Sequence, residues 1–60
     1  MPKIDDLIKR PITYAVDTAN SIEFVDDEGN KIFEMIVEQN ISKHEEQMAA
    51  AIVKAVNEAK

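Results

Sequence analysis

The sequence predicts a two-layer α+β domain in which a three-stranded antiparallel meander packs against a long C-terminal helix, with a short N-terminal helix before the first strand. Three observations support this fold class: an apolar stripe with helical spacing near the C-terminus, alternating apolar residues in the segments before it, and a strong turn signal between two of those segments. We assign residues 1–60 to a single small domain, because a chain of this length has room for only one core.

The C-terminal helix is predicted over about residues 43–59, a segment without glycine or proline. Ser42 and Glu45 have the spacing of a capping box, in which each side chain can bind a free amide at the helix start. Apolar residues then recur at intervals of three and four. We therefore expect the helix to cover the sheet with a stripe that consists of Met48, Ile52, Ala55, Val56 and Ala59.

A shorter helix is predicted over about residues 3–9, where Ile4, Leu7 and Ile8 fall on one side. Pro11 ends it, because the residue before a proline avoids helical geometry. A helix this short requires tertiary contacts to be stable.

Three strands are predicted over about residues 12–17, 21–26 and 31–37, because apolar and polar residues alternate in them. The turn over residues 27–30 contains Gly29, which can adopt the positive φ that other residues resist. This turn length places apolar residues opposite apolar residues, which favours that register. The predicted partners are Phe24–Phe33, Ile22–Met35, Tyr14–Phe24 and Val16–Ile22, so that one apolar face contains Ile12, Tyr14, Val16, Ile22, Phe24, Phe33 and Met35.

The opposite face of the predicted sheet is less polar than a fully solvated face would be. It carries Thr13, Ala15, Glu23, Val25, Ile32, Glu34 and Ile36. Either the N-terminal helix covers the three large aliphatic residues, or they form a surface for a partner or a second copy of the chain. The two outer strands are also open edges that can pair with another chain, and we expect a homodimer.

The charge balance narrows the class of partner. Twelve acidic and seven basic residues give a net charge of −5. Phosphate repulsion argues against direct nucleic-acid binding, and the same reasoning argues against anionic membranes. The acidic surface favours either solubility or a basic partner. The absence of cysteine is compatible with the cytoplasm, where we expect the protein to act, and no apolar run is long enough to span a membrane.

Three combinations of residues were considered as chemical sites. Ser42 and His44 could form a nucleophile and its base, but their directions differ and no orienting acid is evident, so a helix cap is favoured. The acidic turn over residues 26–30 lacks the ligand spacing of a calcium loop. Glu23 and Glu34, opposite each other, could act as an acid–base pair, but no other polar residue completes a site. We therefore predict no enzyme, no metal and no cofactor.

Two segments resemble parts of small phage-encoded and mobile-element proteins. Residues 22–32 resemble their strand, Asp-x-x-Gly turn and strand, and residues 51–57 resemble the Ala-, Ile/Val- and Asn-containing helix that follows. The first strand and the N-terminal helix depart from that pattern. The resemblance extends to anti-CRISPR proteins, and it implies a non-catalytic inhibitor that blocks a host nuclease complex at its DNA-binding surface. No functional residue is carried over from it.

The combined hypothesis is a small acidic interaction protein that presents carboxylates to the basic groove of a host nucleic-acid-binding protein. The predicted partner contacts are Asp17, Glu23, Asp26, Asp27, Glu28 and Glu34. The alternative is a homo-oligomeric structural or accessory domain whose acidic surface only maintains solubility. The two hypotheses differ in whether these carboxylates lie on one continuous face.

Overall fold

The computed structural model describes residues 3–59. Their elements are α1 (Ile4–Leu7), β1 (Thr13–Thr18), β2 (Ser21–Val25), β3 (Lys31–Ile36) and α2 (Lys43–Glu58). The strands form one antiparallel sheet in the order β1-β2-β3, which confirms the predicted α+β fold. The strands and α2 agree with their predicted ranges to within two residues at each end.

The predicted strand register is confirmed. The observed partners include Phe24–Phe33, Ile22–Met35, Tyr14–Phe24 and Val16–Ile22. The ring of Phe24 stacks on that of Phe33, with 4.6 Å between their centroids, and tilts against Tyr14 at 6.5 Å. Gly29 adopts a φ of +84° in the turn between β2 and β3, so the turn has the positive-φ residue that its sequence supplies.

The hydrophobic core lies between α2 and the helix-facing side of β2. Ile22, Phe24 and Ala49 are fully buried and form its centre. Ile12, the residue before β1, is also buried. Around the centre pack the half-buried side chains of Tyr14, Met35, Ile41, Ile52 and Val53. Because Ala49 has only a methyl group, the helix backbone can approach the sheet closely there.

The predicted stripe on α2 is partly wrong. Met48 is 44% exposed, and Ala55 is exposed as well. The buried residue is instead Ala49, with Ile52 and Val53 beside it. The physical reason is the polar residue Asn57, whose side chain binds the backbone of Ile12, just before β1. Ala49 and Val53 lie eight and four residues before Asn57 and therefore on neighbouring turns of the same side of the helix, so this side, and not the purely apolar stripe, meets the sheet.

The predicted apolar face of the sheet is only partly covered. Val16 on β1 is 50% exposed and Phe33 on β3 is 38% exposed, whereas both flank fully buried residues of β2. A single helix about 10 Å wide cannot cover three strands that are each separated by about 4.8 Å. The core therefore centres on β2, and the two outer strands remain partly open.

The N-terminal helix is shorter than predicted, because it ends at Leu7 rather than at residue 9. Ile8 is already extended, and Leu7 is 69% exposed. Hydrogen bonds of the residues that follow hold this segment in place. The Asp27 amide donates to the Lys9 carbonyl at 2.9 Å, and the Arg10 guanidinium donates to the Val56 carbonyl at 2.9 Å.

Candidate protein-binding surface

One face of the sheet points away from α2, and we call it the open face. By the observed register it carries Thr13, Ala15, Ser21, Glu23, Val25, Glu34 and Ile36, of which Ser21 is buried. Ile32 has no partner in β2, because the register shifts after Phe24 and Val25 pairs with Lys31. These residues alternate along the strands with those that pack against the helix. The sheet is therefore covered by a helix on one side only, and residues 23 and 25 of β2 face the other side.

Two glutamates face each other at the middle of the open face. Glu23 on β2 is the direct partner of Glu34 on β3. Lys31 lies 3.5 Å from the Glu34 carboxylate, whereas Glu23 has no ion pair among residues 3–59. Like charges directly opposite on a sheet destabilise it by about 0.2–1 kcal/mol. The two opposed carboxylates are therefore expected to reduce the stability of the isolated chain.

Aliphatic side chains lie on both sides of this glutamate pair. Val25 and Ile32 are half-buried on the side of the β2–β3 turn. Ile36, at the other end of β3, is 68% exposed. The N-terminal segment was one of the two elements expected to cover these aliphatic residues. It reaches the turn between β2 and β3, where the Lys9 side chain forms an ion pair with Glu28. It leaves Ile36 open to solvent, so the open face combines apolar and acidic groups.

Asp26 closes the turn after β2 and is not a free surface carboxylate. Its Oδ1 atom accepts hydrogen bonds from the backbone amides of Glu28 and Asn30, each at 2.9 Å. These bonds, the one from Asn30 above all, hold the pKa of Asp26 below its usual value. Asp26, one of the predicted partner contacts, therefore uses its carboxylate to hold the backbone of the turn.

The six predicted contact residues lie in three places. Glu23 and Glu34 occupy the middle of the open face, and residues 26–28 form the turn at one end of the sheet. Asp17 lies at the opposite end, in the irregularity of β1 between Val16 and Thr18. The carboxylates therefore do not form one continuous surface, and the structure brings together only Glu23 with Glu34 and the three turn residues.

The structure assigns Ser42 to helix capping. Its hydroxyl donates to the Glu45 carboxylate at 2.8 Å and its amide donates to the same side chain at 3.2 Å. The hydroxyl hydrogen bond is the main reason why the pKa of Glu45 is lowered. His44 is exposed. Within residues 3–59, no group of three or more His, Asp or Glu side chains is arranged to hold a metal ion.

Two polar residues that the sequence analysis did not single out connect α2 to β1. The Asn57 amide group donates to the Ile12 carbonyl at 3.0 Å and accepts from the Ile12 amide at 2.8 Å. Arg10 binds the carbonyls of Val56 and Ala59 at the end of α2 and forms an ion pair with Asp5. The hydrogen bond from Arg10 lowers the pKa of Asp5. The sequence signal that could have identified Asn57 is a polar residue among the apolar residues on the inner side of the helix.

Comparison with known proteins gives no family assignment: no protein-family model, no curated protein and no solved structure matches the chain. Over residues 3–59, no helix combines the length and the apolar composition needed to cross a membrane. The functional argument therefore depends on the geometry of the open face.

Proposed function

We propose that this chain is a small, acidic, non-enzymatic interaction protein of the phage accessory type. It binds a basic surface of a host nucleic-acid-binding protein in the host cytoplasm and prevents nucleic acid from reaching that surface. One observation supports this proposal above the others. The sheet is covered by α2 on one side, and its open face presents two opposed carboxylates between aliphatic residues.

The glutamate pair supports a basic partner because it is unfavourable for the isolated chain. Neutral residues at positions 23 and 34 would stabilise the sheet better than two carboxylates do. A lysine or arginine of a partner, placed between them, would convert the repulsion into attraction. The two carboxylates would then occupy the place on the partner's surface that a phosphate of the nucleic acid otherwise occupies.

The aliphatic residues supply the part of the affinity that charge does not. Ile36 and the exposed parts of Val25 and Ile32 can bury apolar area against the stems of basic side chains. Burial of such area contributes about 25 cal/mol per Å² before the costs of association. The expected contact is therefore mixed, with carboxylates at its centre and apolar groups around them.

The remaining acidic residues act mainly at longer range. The net charge of −5 attracts a basic partner over distances of about 10 Å at 0.1 M salt. Asp27 and Glu28 lie at the end of the sheet next to the open face, and Asp17 lies at the far end. Asp26 contributes charge but its Oδ1 atom is already bound by two amides.

A pair of matched double variants tests the proposal. E23Q/E34Q removes two charges from the open face and keeps the shape of both side chains. E38Q/E58Q removes two charges from exposed positions outside the open face. Each variant, and the parent chain, is immobilised and incubated with host lysate at low and high salt. Bound proteins are then eluted with duplex DNA, which should displace a partner that is held by its nucleic-acid surface.

The proposal predicts that the parent chain and E38Q/E58Q retain the same DNA-eluted protein, and that E23Q/E34Q loses it. Retention should weaken for all three chains as salt rises, because screening reduces the attraction. Equal retention by both double variants would contradict the assignment to the open face. A protein that duplex DNA does not elute would contradict competition with nucleic acid.

The second candidate function is a homo-oligomeric structural or accessory domain whose acidic surface serves only solubility. It is favoured by the distribution of the six candidate carboxylates over three separate places, which is the criterion that distinguishes the two hypotheses, and by the way several of them are used within the chain. Asp26 binds two backbone amides, Glu28 pairs with Lys9, and Glu34 lies near Lys31. For this candidate, no DNA-eluted partner is expected, and the two double variants should differ from the parent only in their solubility.

A further inference from the structure

We infer that the outer edge of β3 is a self-association surface, at which a second copy of the chain pairs with it in antiparallel orientation. The paired copies would share one six-stranded sheet with both α2 helices on the same side. This inference concerns the β3 edge, and its tests measure the association of the chain with itself, so they can fail independently of the proposed function.

The two edges of the sheet differ in what is bound to them. At the β1 edge, Asn57 binds both the amide and the carbonyl of Ile12, and Pro11 before it has no amide to offer. β1 is also irregular near its end, at Asp17. Such features oppose the addition of a further strand. β3 is irregular as well, because Val25 pairs with Lys31 and Ile32 has no partner in β2, but this irregularity lies at its start and residues 33–36 pair regularly with β2. In the part of the chain that the structure describes, β3 pairs only with β2, so its outer amides and carbonyls face solvent.

Exposed apolar side chains are concentrated around β3. Phe33 and Ile36 of β3 are 38% and 68% exposed, and Met48 of α2 is 44% exposed. An α-helix turns by about 100° per residue, so Met48 and Asn57 lie on opposite sides of α2. Because Asn57 faces the β1 edge, Met48 lies on the flank toward β3. Phe33 and Met48 therefore lie on the same side of the domain, toward the β3 edge.

The amount of exposed surface is consistent with a missing subunit. The accessible surface of the chain is 4451 Å² for a mass of 6.8 kDa. Folded monomers of this mass expose about 4,000 Å², so the chain exposes roughly a tenth more. A stable interface buries about 600–1,000 Å² per partner, and β3 offers an edge about 20 Å long for such a contact.

The charges of β3 favour a second copy in antiparallel orientation. Lys31 lies at the start of the strand, and Glu34 lies in its second half. Antiparallel pairing of two such strands sets the basic end of each beside the acidic half of the other. Parallel pairing would set like charges beside each other. The strand is therefore complementary to its own reversed copy, as a two-fold symmetric contact requires.

The first test compares one substitution at each edge. Sedimentation equilibrium of the parent chain at 10–100 µM should give about twice the 6.8 kDa chain mass. Ile36→Lys should weaken the dimer at least tenfold, because a lysine on the exposed edge opposes strand addition. Val16→Lys places the same charge at a comparably exposed position of β1 and should leave the dimer intact. Circular dichroism confirms that both variants are folded.

The second test does not require a variant that dissociates. The chain has no cysteine, so a single introduced thiol reports proximity without background. With Lys31 of one copy beside Glu34 of the other, the two positions 34 lie about 10 Å apart along the strands, so Glu34→Cys should be joined into a covalent dimer by a bismaleimide cross-linker of that span, whereas Thr13→Cys on β1 should not. A parent chain that is monomeric at 100 µM would overturn the inference and leave the β3 edge to a different partner. Cross-linking through position 13, or equal dissociation by both lysine variants, would overturn it as well.

Discussion

The two faces of β2 carry opposite kinds of residue although they belong to the same five-residue strand. Ile22 and Phe24 face α2 and are fully buried, whereas Glu23 and Val25 face away from the helix and remain partly accessible. Folding is driven by the first pair, because burial of apolar area is the dominant favourable term. Glu23 instead faces a like charge across the sheet.

This difference indicates where function can reside in so small a domain. A chain of 60 residues can bury only a small core, and the helix-facing side of the sheet supplies nearly all of it. The open face is not needed for that core, so its residues can be chosen for binding even when they reduce stability. The glutamate pair is the clearest example of such a choice.

The largest expected effect comes from the helix-facing side. Phe24→Ala should reduce the free energy of unfolding by about 3–5 kcal/mol, the usual cost of removing a buried phenylalanine. Most of a small domain's stability would then be lost. Val25→Ala, at the next residue but on the open face, should cost much less. Chemical denaturation of both variants measures the contrast, and equal losses would show that the two faces are not energetically distinct.

The next largest effect is expected for the hydrogen bonds that attach α2 to the rest of the chain. Because α2 covers only one face of the sheet, this attachment creates the difference between the two faces. Asn57→Ala removes both hydrogen bonds to the Ile12 backbone. Leaving those buried groups without partners should cost about 1–3 kcal/mol. Glu58→Ala changes the adjacent, exposed residue and should alter stability by less than about 0.5 kcal/mol. Thermal melting compares the two, and a loss of stability common to both would point to helix propensity instead.

The fold was largely predictable from the sequence because its signals are local. Alternation in the three strands, the turn with Gly29 and the Ser42–Glu45 spacing each depend on residues close together in the chain. The register followed from matching apolar residues across a turn of known length. These inferences required no knowledge of how the helix meets the sheet.

The orientation of α2 was not predictable in the same way. It depends on Asn57, which binds a backbone 45 residues earlier in the chain, and periodicity of apolar residues cannot register such a contact. The same limit applies to Asp26. Its carboxylate was predicted as a partner contact, and the acidic composition of the turn does not reveal that two backbone amides bind it. The positions of the six candidate carboxylates relative to one another also required the folded sheet.

A smaller effect, of opposite sign, is expected on the open face. E23Q/E34Q should raise the free energy of unfolding by about 0.2–1 kcal/mol, because it removes the repulsion between two opposed carboxylates. The loss of the contact between Lys31 and Glu34, which is near the surface, offsets little of this gain. E38Q/E58Q serves as the charge-matched control and should have no comparable effect. Urea denaturation at low salt, where the repulsion is strongest, is the measurement.

The last prediction concerns the dependence of stability on pH. It distinguishes the carboxylates that form hydrogen bonds within the fold from those of the open face, and it predicts the smallest change at neutral pH. The pKa values of Asp5, Asp26 and Glu45 are lowered by hydrogen bonds within the chain. A lowered pKa in the folded state means that the stabilisation is complete above the unfolded values, near 4, and is lost as the pH falls through the folded values. The stability of the parent chain should therefore decrease below about pH 4.

Asp26→Asn tests this assignment because an asparagine retains the Oδ1 acceptor that both amides use. The variant should keep nearly the stability of the parent at pH 7, and its stability should fall less steeply in acid. Asp27→Asn removes the same charge from the adjacent residue and should preserve the steeper decline. Unfolding curves from pH 7 to pH 2.5 give both slopes. If Asp26→Asn declines as steeply as the parent, acid sensitivity does not come from the turn, and the open-face carboxylates become the next residues to test.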